Sequence, residues 1–335
     1  MEDKISVVVT SISEPNDALQ AVANGCIERD YQFVVIGDEA SPSDFHIDGC
    51  EFYGLERQKK TELKLAQSCP TRHYARKNIG YLLAIGNGAS IIIETDDDNI
   101  PCRQFWAKRQ RIQNAAVLEN GGWVNVYRYF TDQNIWPRGF PLKEVQQQIV
   151  PYDSLKQTDA DCPIQQGLAD DNPDVDAVYR LILPLPQTFR KDRRVALTEG
   201  SWCPFNSQNT TWWADTFELL YLPSYCSFRM TDIWRGFIAQ RIALLNGWAI
   251  LFHEPTVRQQ RNVHNLLHDF NDEIPGYLHN SEIGEALDGL HLEPGSGKIG
   301  DNLKVSYEKL ISMSLIGREE LNLLDAWLED IKQLR

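Results

Sequence analysis

The chain has 335 residues, a formal net charge of −14 at pH 7 and a sequence pI near 5.0. This charge argues against a nucleic-acid partner, because phosphate backbones bind basic protein faces. No apolar run approaches the ~18 residues of a membrane span, and the N-terminus lacks the basic region of a signal peptide, so we expect a cytoplasmic protein without a membrane span.

The N-terminal residues predict a parallel βαβ unit. Residues 5–10 (ISVVVT) and 33–36 (FVVI) are typical of strands, and residues 17–27 of a helix between them. Ligands bind beyond the carboxyl ends of such strands, which places Thr10 and Asp38 at one rim. The chain contains neither GxGxxG after the first strand nor GxxxxGK[ST], which weakens dinucleotide and P-loop interpretations.

An acidic triplet follows the next predicted strand. Residues 74–85 predict a helix, and the isoleucines at 91–93 predict a strand buried on both faces. The strand leads into Asp96, Asp97 and Asp98, whose adjacent carboxylates repel one another unless a divalent cation such as Mg²⁺ or Mn²⁺ binds them. On an extended backbone, Asp96 and Asp98 point to one side and Asp97 to the other. The alternative is a solvated acidic loop.

The middle of the chain offers one candidate arginine. Residues 104–120 predict a helix with a basic face, residues 151–175 a long loop, and residues 178–185 a strand. Arg138 lies in WPRGFPL, where two prolines and a glycine predict a rigid loop. An arginine so held can bind a pyrophosphate bidentately. An exposed turn arginine explains the pattern equally well.

A polar segment between aromatic residues suggests an acceptor site. Asn206 and Asn209 lie in WCPFNSQNTTWW, and amides bracketed by aromatic rings suit carbohydrate, although tryptophans usually belong to the core. Asp232 follows at the start of a predicted helix. It is explained by capping, or it acts as the general base for an acceptor hydroxyl or stabilises positive charge on the sugar.

The remaining candidates are two histidines and a helical C-terminus. His253 and His264 are each able to complete a metal shell, although a single histidine is more often structural. The leucines and isoleucines within 303–311 and 321–331 recur at helical spacing. We therefore expect two amphipathic helices that pack on the core domain or on a second subunit. This predicts a domain over 1–270, a helical extension over 271–335 and a possible homodimer.

Five segments, taken together and in order over roughly residues 5–262, resemble the STELLO family of glycosyltransferase-like proteins. More distantly they resemble the UDP-arabinopyranose mutases, also called reversibly glycosylated polypeptides. The segments are YARKNIGYLLAIGNGA with the acidic triplet, WPRGFPL, QQGLADDNPDVDAVYRL, CPFNSQNT and MTDIWRGFIAQRIALLNGWAILFHEPTV.

This resemblance implies an α/β fold of the GT-A-like type, with a mixed, mainly parallel central sheet and a C-terminal helical segment. It also implies a nucleotide-sugar donor, most plausibly a UDP-sugar, with Mn²⁺ or Mg²⁺. Asp96 to Asp98 match the family's acidic motif. Arg138 matches the arginine that mutase-type relatives glycosylate on themselves, and Asp232 matches their acidic residue before Ile-Trp.

The sequence therefore predicts a metal-dependent glycosyltransferase acting on a carbohydrate or glycolipid acceptor, as in surface polysaccharide synthesis. The alternatives are a nucleotide-sugar mutase with transient glycosylation of Arg138, and a non-catalytic scaffold for another transferase. The predicted residues fall into three groups: metal ligands Asp96, Asp98 and His264; catalytic residues Asp232 and Arg138; and substrate-binding residues Thr10, Asp38, Arg76, Asn78, Asp97, Asn206, Asn209 and Trp234.

Overall fold

The computed structural model describes residues 3–260 and 265–335. The strands are β1 Ile5–Thr10, β2 Gln32–Ile36, β3 Glu51–Tyr53, β4 Ile91–Thr95, β5 Asn99–Pro101, β6 Ile112–Leu118, β7 Gly122–Trp123, β8 Lys156–Asp161, β9 Ile164–Asp170, β10 Arg194–Leu197, β11 Ser201–Trp202, β12 Asn209–Trp213 and β13 Ile250–Gln259. The helices are α1 Asp17–Ile27, α2 Leu55–Lys59, α3 Lys64–Ser68, α4 Lys77–Gly86, α5 Ala177–Ile182, α6 Thr231–Leu245, α7 Leu266–Asp288, α8 Ile299–Ser312 and α9 Glu320–Leu334.

A large mixed sheet organises the molecule. Its order is β3-β2-β1-β4-β12-β9-β13-β10-β6-β8, with β5 paired to β13. The first four strands in this order are mutually parallel, and β12 then runs antiparallel to both β4 and β9. The predicted β1–α1–β2 unit is present, and the mixed α/β architecture agrees with the GT-A-like fold expected from the sequence.

Both faces of the central strands are buried, as the apolar runs predict. On β1, Val8 belongs to the apolar cluster on one side of the sheet, and Val7 and Val9 belong to the cluster on the other. The first cluster is covered by α4, α6, α8 and α9, and the second by α1. Because β1, β2 and β4 are parallel, their carboxyl ends meet at one edge of the sheet.

The two C-terminal helices predicted from periodicity are α8 and α9. Their apolar faces, with Tyr307, Leu324 and Trp327, join the same buried cluster as α4 and α6. Trp327 packs edge-on against Tyr81 of α4, with ring centroids 6.5 Å apart. The helices therefore pack on the sheet domain, one of the two arrangements that the sequence allows.

Three predictions for the middle of the chain are wrong. The helix expected over 104–120 is strand β6, which lies between β10 and β8, so sheet pairing overrides the local pattern. The strand expected over 178–185 is helix α5, which begins where the Asp176 side chain accepts a hydrogen bond from the Tyr179 amide. The loop expected over 151–175 contains β8 and β9.

Across residues 3–260 and 265–335, none of the helices combines the length and apolar character that crossing a membrane requires.

Candidate active site

A cleft of about 750 Å³ opens at the carboxyl edge of the sheet. The ends of β1, β2 and β4 form its floor, and the segment leading into α6 forms one wall. Seven acidic residues line it: Asp38, Glu39, Asp96, Asp97, Asp98, Asp174 and Asp232. Its size is typical of a small-molecule site, and its position follows the rule for parallel sheets.

The acidic triplet forms a turn. Strand β4 ends at Thr95, and the Asn99 amide at the start of β5 donates to the Asp96 carbonyl oxygen over 3.3 Å. The side-to-side alternation expected for an extended backbone is therefore wrong. All three carboxylates line the same cleft.

Asp97 connects this turn to the loop after β1. One of its carboxylate oxygens accepts hydrogen bonds from the hydroxyls of Ser11, at 2.6 Å, and Ser13, at 2.9 Å. The Asn16 amide, which also caps α1, donates to the Asp97 carbonyl oxygen. These hydrogen bonds fix the loop after β1 against the acidic turn.

Asp96 lies beside a buried lysine that the sequence analysis did not single out. The Lys77 ammonium is fully buried and donates to the Thr95 carbonyl oxygen at 2.8 Å and the Tyr74 hydroxyl at 3.0 Å. It lies 3.4 Å from an oxygen of Asp96. Burial raises the pKa of Asp96 to about 7, and the charge of Lys77 opposes that rise. A further cation beside Asp96 would favour the ionised form of this carboxyl.

Arg138 is the centre of a second charged cluster in the cleft. Its guanidinium pairs with Asp232 through two hydrogen bonds of 2.9 and 2.8 Å, and with Asp174 at 2.8 Å. It also donates to the Arg229 carbonyl oxygen. Ser207 donates its amide and hydroxyl to Asp232, each over 3.3 Å. Although burial raises the pKa of Asp232, the charge and hydrogen bonds of Arg138 hold it well below the ordinary value.

The loop that carries Arg138 is rigid for local reasons. Gly139 has a φ of 85°, and a Cβ there would lie 2.4 Å from the Ile233 side chain of α6. Glycine is therefore required both for the backbone conformation and for the close packing. The Arg138 amide donates to the Asp174 carbonyl oxygen at 2.9 Å, which fixes the loop to the segment after β9.

The donors around the acidic turn fit a divalent cation that also binds phosphate. Asp96 and Asp98 line the cleft together with Gln259, whose amide nitrogen donates to both oxygens of Asp98 at 3.1 Å. The buried amide oxygen of Gln259 has no hydrogen-bond partner in the described part of the chain. Within the same residues no three His, Cys, Asp or Glu side chains form a complete metal site. This set suits Mg²⁺ or Mn²⁺, which bind few carboxylates and complete their shells with water and substrate phosphates.

Arg76 and Asn78 have structural partners. Arg76 reaches the cleft wall, but its guanidinium is buried and donates to Gln58 at 3.0 Å and to the Cys69 carbonyl oxygen at 2.8 Å. Asn78 exchanges two hydrogen bonds with the backbone of Leu222 and does not line the cleft. Lys77, the first residue of α4, is instead the residue of this segment that reaches the end of β4.

Three further predicted substrate residues also lie outside the cleft lining. Asn206 is buried and donates to Asp174 at 2.7 Å, so it supports the Arg138 cluster from behind. Asn209 donates to the Thr256 hydroxyl at 2.7 Å inside the sheet. Trp234 is fully buried in the core, the alternative that the sequence analysis left open for the tryptophans.

Thr10 and Asp38 line the cleft as predicted. Asp38 accepts a hydrogen bond of 3.0 Å from the His73 amide. Of the two histidines considered for the metal, His253 lies away from this cleft beside Glu254, and His264 lies outside the described residues.

Comparisons with known proteins converge on one family. Residues 229–335 match the family model described as STELLO glycosyltransferases. The chain is 30% identical over 291 residues to "Probable glycosyltransferase STELLO2" of Arabidopsis thaliana. This alignment covers 80% of this chain and 37% of that protein. It is 28% identical over 277 residues to "Probable glycosyltransferase STELLO1" of the same plant, which covers 76% and 35% respectively.

The chain thus spans little more than a third of the length of these two relatives. A mycobacterial protein of known crystal structure overlaps 84% of this chain and 75% of its own, at 12% identity and a TM-score of 0.42.

Proposed function

Because this chain belongs to the STELLO family, we propose that it is a metal-dependent glycosyltransferase. It moves a sugar from a nucleotide-diphosphate donor, a UDP-sugar, to a carbohydrate or glycolipid acceptor, as in the synthesis of a surface polysaccharide. One observation carries the proposal: two separate groups of carboxylates, the acidic turn and the Arg138 cluster, line the same cleft of about 750 Å³.

The acidic turn is the proposed donor site. Asp96 and Asp98 would hold Mn²⁺ or Mg²⁺, with Gln259, whose amide nitrogen donates to Asp98, beside them. The cation supplies positive charge to a diphosphate, which makes it a better leaving group. Thr10 and Asp38 lie at the neighbouring strand ends, where they are placed to bind the nucleoside. Asp97 keeps the two loops of this site together.

Asp232 is proposed to act through its charge. Both of its oxygens already accept hydrogen bonds from Arg138, and one also accepts from Ser207. Together with the lowered pKa, this makes the carboxylate a weak base that stays ionised. Of the two catalytic roles considered from the sequence, the geometry favours stabilisation of positive charge on the sugar over proton abstraction.

The same cluster disfavours the mutase alternative. Each N–H group of the Arg138 guanidinium faces an oxygen of Asp174, Asp232 or Arg229. Despite burial, the two carboxylates raise the pKa of Arg138 well above its ordinary value. Attack on a sugar needs a deprotonated nitrogen with a free lone pair, which this environment opposes. Arg138 therefore orients Asp232 instead of receiving the sugar or binding the diphosphate directly.

A non-catalytic scaffold is the third hypothesis. A scaffold has no physical need of the acidic turn or of Asp232 at this cleft. The fixed geometry of the acidic turn supports a binding role for them.

Incubation with a panel of radiolabelled UDP-sugars, with and without Mn²⁺, tests the proposal. We expect manganese-dependent release of labelled sugar to water at a low rate, and faster transfer when an accepted glycan is supplied. Stoichiometric label on the protein that Arg138→Ala abolishes would instead establish the mutase. If the protein neither binds UDP nor turns over any of the UDP-sugars, the scaffold hypothesis is the one that remains.

A further inference from the structure

A second, smaller pocket of about 110 Å³ lies over the sheet and shares no lining residue with the cleft. Side chains of four neighbouring strands, β9, β13, β10 and β6, form its floor, and the segment between β5 and β6 covers one side. Leu251 lies in this floor, whereas Ile250 and Phe252 belong to the apolar cluster that α6 covers. The pocket therefore opens on the face of the sheet opposite α6.

This pocket is positively charged within an acidic protein. Among the described residues of its lining, Lys108, Arg109 and Arg194 are cations and Glu254 is the single carboxylate. Burial lowers the pKa of His253 to about 4, so this side chain is neutral at pH 7. Three cations against one carboxylate leave a net charge of +2, although the chain as a whole carries −14. We call it the basic pocket.

Arg109 is the cation of the basic pocket that has no counter-ion. Glu254 lies 3.7 Å from Arg194, but no carboxylate of the described chain pairs with Arg109. Its Nε donates to the Thr211 hydroxyl at 3.3 Å and its Nη1 to the Ala107 carbonyl oxygen at 2.7 Å, and both acceptors are neutral. Burial lowers the pKa of the guanidinium to about 10. A desolvated charge is ordinarily paired in a folded protein.

Other buried arginines of this chain show how such a charge is satisfied. Arg138 and Arg235 each pair with a carboxylate at 2.8 and 2.9 Å. Arg76 has no carboxylate partner, but all three nitrogens of its guanidinium donate to oxygen atoms. The Nη2 atom of Arg109, by comparison, donates to no atom of the residues that the structure describes. This nitrogen is available to a bound anion.

Hydrogen bonds hold the covering segment of the basic pocket against its floor. The side-chain amides of Gln113 on β6 and Gln165 on β9 donate to the Gln110 carbonyl oxygen at 2.7 and 2.8 Å. Arg194 on β10 donates to the Gln113 side-chain oxygen at 3.0 Å. The segment that carries Lys108 and Arg109 is thereby fixed before any ligand binds, which reduces the entropic cost of binding.

The size of the basic pocket fits one phosphate group. Its volume of about 110 Å³ equals that of roughly four water molecules in the liquid, which is too small for a nucleotide. Gln104 and Lys108 in the lining are exposed, so the pocket opens to solvent and a group attached to the phosphate can extend outward. Guanidinium and ammonium groups both bind phosphate oxygens, and a lining of net charge +2 matches a dianion.

We propose that the basic pocket binds a phosphate group through Arg109 and Lys108, either as the free ion or as the end of a phosphomonoester. This anion site is separate from the proposed donor site. The inference rests on the basic pocket alone and does not depend on the glycosyltransferase activity.

Isothermal calorimetry with sodium phosphate, in the absence of Mn²⁺ and UDP, tests the site. The wild type should bind one phosphate per chain. Arg109→Gln and Lys108→Gln should each raise the dissociation constant at least about tenfold, or ~1.4 kcal/mol. Arg318→Gln removes the same charge from an exposed arginine outside both pockets and should bind phosphate as the wild type does. Circular dichroism checks the fold of Arg109→Gln, and Lys108→Gln changes an exposed side chain in case that variant does not fold.

Further titrations identify the anion. Acetate at the same ionic strength should bind more weakly than phosphate, because it carries a single negative charge. Glycerol 3-phosphate distinguishes the two sources of the phosphate group. If the ester binds more tightly than inorganic phosphate, through the same Arg109, the ligand is a phosphomonoester, and the reverse order assigns the basic pocket to the free ion.

The basic pocket and the donor site can be tested independently. Phosphate binding should persist in Asp96→Asn, and manganese-dependent UDP binding should persist in Arg109→Gln. A wild type that binds no phosphate would overturn the proposal, as would equal phosphate affinity in the wild type, Arg109→Gln and Lys108→Gln. Acetate binding as tight as phosphate binding would also overturn it. Loss of phosphate binding in Asp96→Asn alone would place the anion in the cleft instead.

Discussion

At the scale of single residues, the contacts of Asp232 argue against a role as a helix cap. Asp232 lies in the first turn of α6, but that helix has no side-chain cap hydrogen bond at its N-terminus. The carboxylate is directed to Arg138 and Ser207 at the cleft. Capping therefore does not account for the residue.

Replacing Asp232 by Asn keeps its size and removes its charge. If the carboxylate stabilises positive charge on the sugar, kcat should fall ~100- to 1,000-fold, as when one preorganised electrostatic contact is lost. Donor affinity should change little, because Arg138 keeps its pair with Asp174. Steady-state turnover and calorimetric donor binding on the purified variant measure both quantities. Near-normal turnover would give Asp232 a structural role only.

Asp176 should make stability depend on pH. It accepts hydrogen bonds of 2.7 Å from the Tyr179 amide and the Trp136 indole. Burial raises its pKa from an ordinary value of 3.8 to about 7. Because the folded pKa is the higher one, the stability contributed by the protonated form is complete below pH ~4 and is lost as the pH rises through ~7.

The variant Asp176→Asn lacks this titration. Its free energy of unfolding relative to the wild type should therefore rise as the pH is raised from 4.5 to 7.5. Urea denaturation at both pH values measures the difference. A difference that is the same at both pH values would mean that Asp176 does not titrate in this range.

The directions in which the side chains of the site point could not be predicted from the sequence. The acidic triplet could be found from sequence because three adjacent carboxylates directly after a buried strand repel one another, a pattern that predicts a cation site. The sequence does not show that Lys77, and not Arg76 or Asn78, faces the strand end. Successive helical residues differ in direction by about 100°, and α4 has apolar residues nearly all round, so its pattern does not reveal which side faces β4. The role of Asp174 was also missed, since nothing in its local sequence indicates that Arg138 lies beside it.

At the scale of elements, a buried ion pair joins β4 to α6 directly beneath the acidic turn. Glu94 of β4 accepts hydrogen bonds from Arg235 of α6 at 2.9 Å, from the Trp212 indole at 2.8 Å and from the Tyr81 hydroxyl. Both charged groups are essentially inaccessible to solvent. The network fixes β4, and hence the turn at its end, against three neighbouring elements.

Breaking this pair should be costly. Glu94→Gln leaves the Arg235 charge buried without its partner, so the free energy of unfolding should fall by about 3–5 kcal/mol. Glu329→Gln is a suitable control, because its pair with Lys64 is some 60% exposed on both sides and should contribute less than ~1 kcal/mol. Urea denaturation compares the two variants. Equal losses would contradict the structural role of the Glu94 network.

Elements with a strong local signal were predicted correctly, and those defined by their partners were not. The β1–α1–β2 unit and the amphipathic helices α8 and α9 follow from hydrophobic periodicity. The local sequence of β6 predicts a helix, and only the pairing with β10 and β8 makes it a strand. Strand β9 (IQQGLAD) is buried along its whole length although half of it is polar, so composition suggests a loop.

At the scale of the whole molecule, α8 and α9 complete the core. Trp327 and Leu324 of α9 and Tyr307 of α8 are fully buried against the helices that cover the sheet. Loss of a single such tryptophan typically costs 3–5 kcal/mol, against a total stability of about 5–15 kcal/mol.

Removing residues 299–335 should therefore abolish cooperative folding. Circular dichroism during heating should show a broad, shallow change in place of a single transition. A truncated protein that unfolds in one sharp transition would instead establish the last helices as a separable extension.

The central claim is that Asp96 and Asp98 bind a divalent cation that holds the donor diphosphate. Isothermal calorimetry of UDP binding, with and without MnCl₂, tests it on the wild type, Asp96→Asn, Asp98→Asn and a control, Asp153→Asn, which changes an exposed aspartate outside the cleft lining. We predict that Mn²⁺ tightens UDP binding at least about tenfold, or ~1.4 kcal/mol, in the wild type and in Asp153→Asn. Neither cleft variant should retain this effect, and both should keep an intact fold. Equal manganese-dependent affinity in all four proteins would contradict the account.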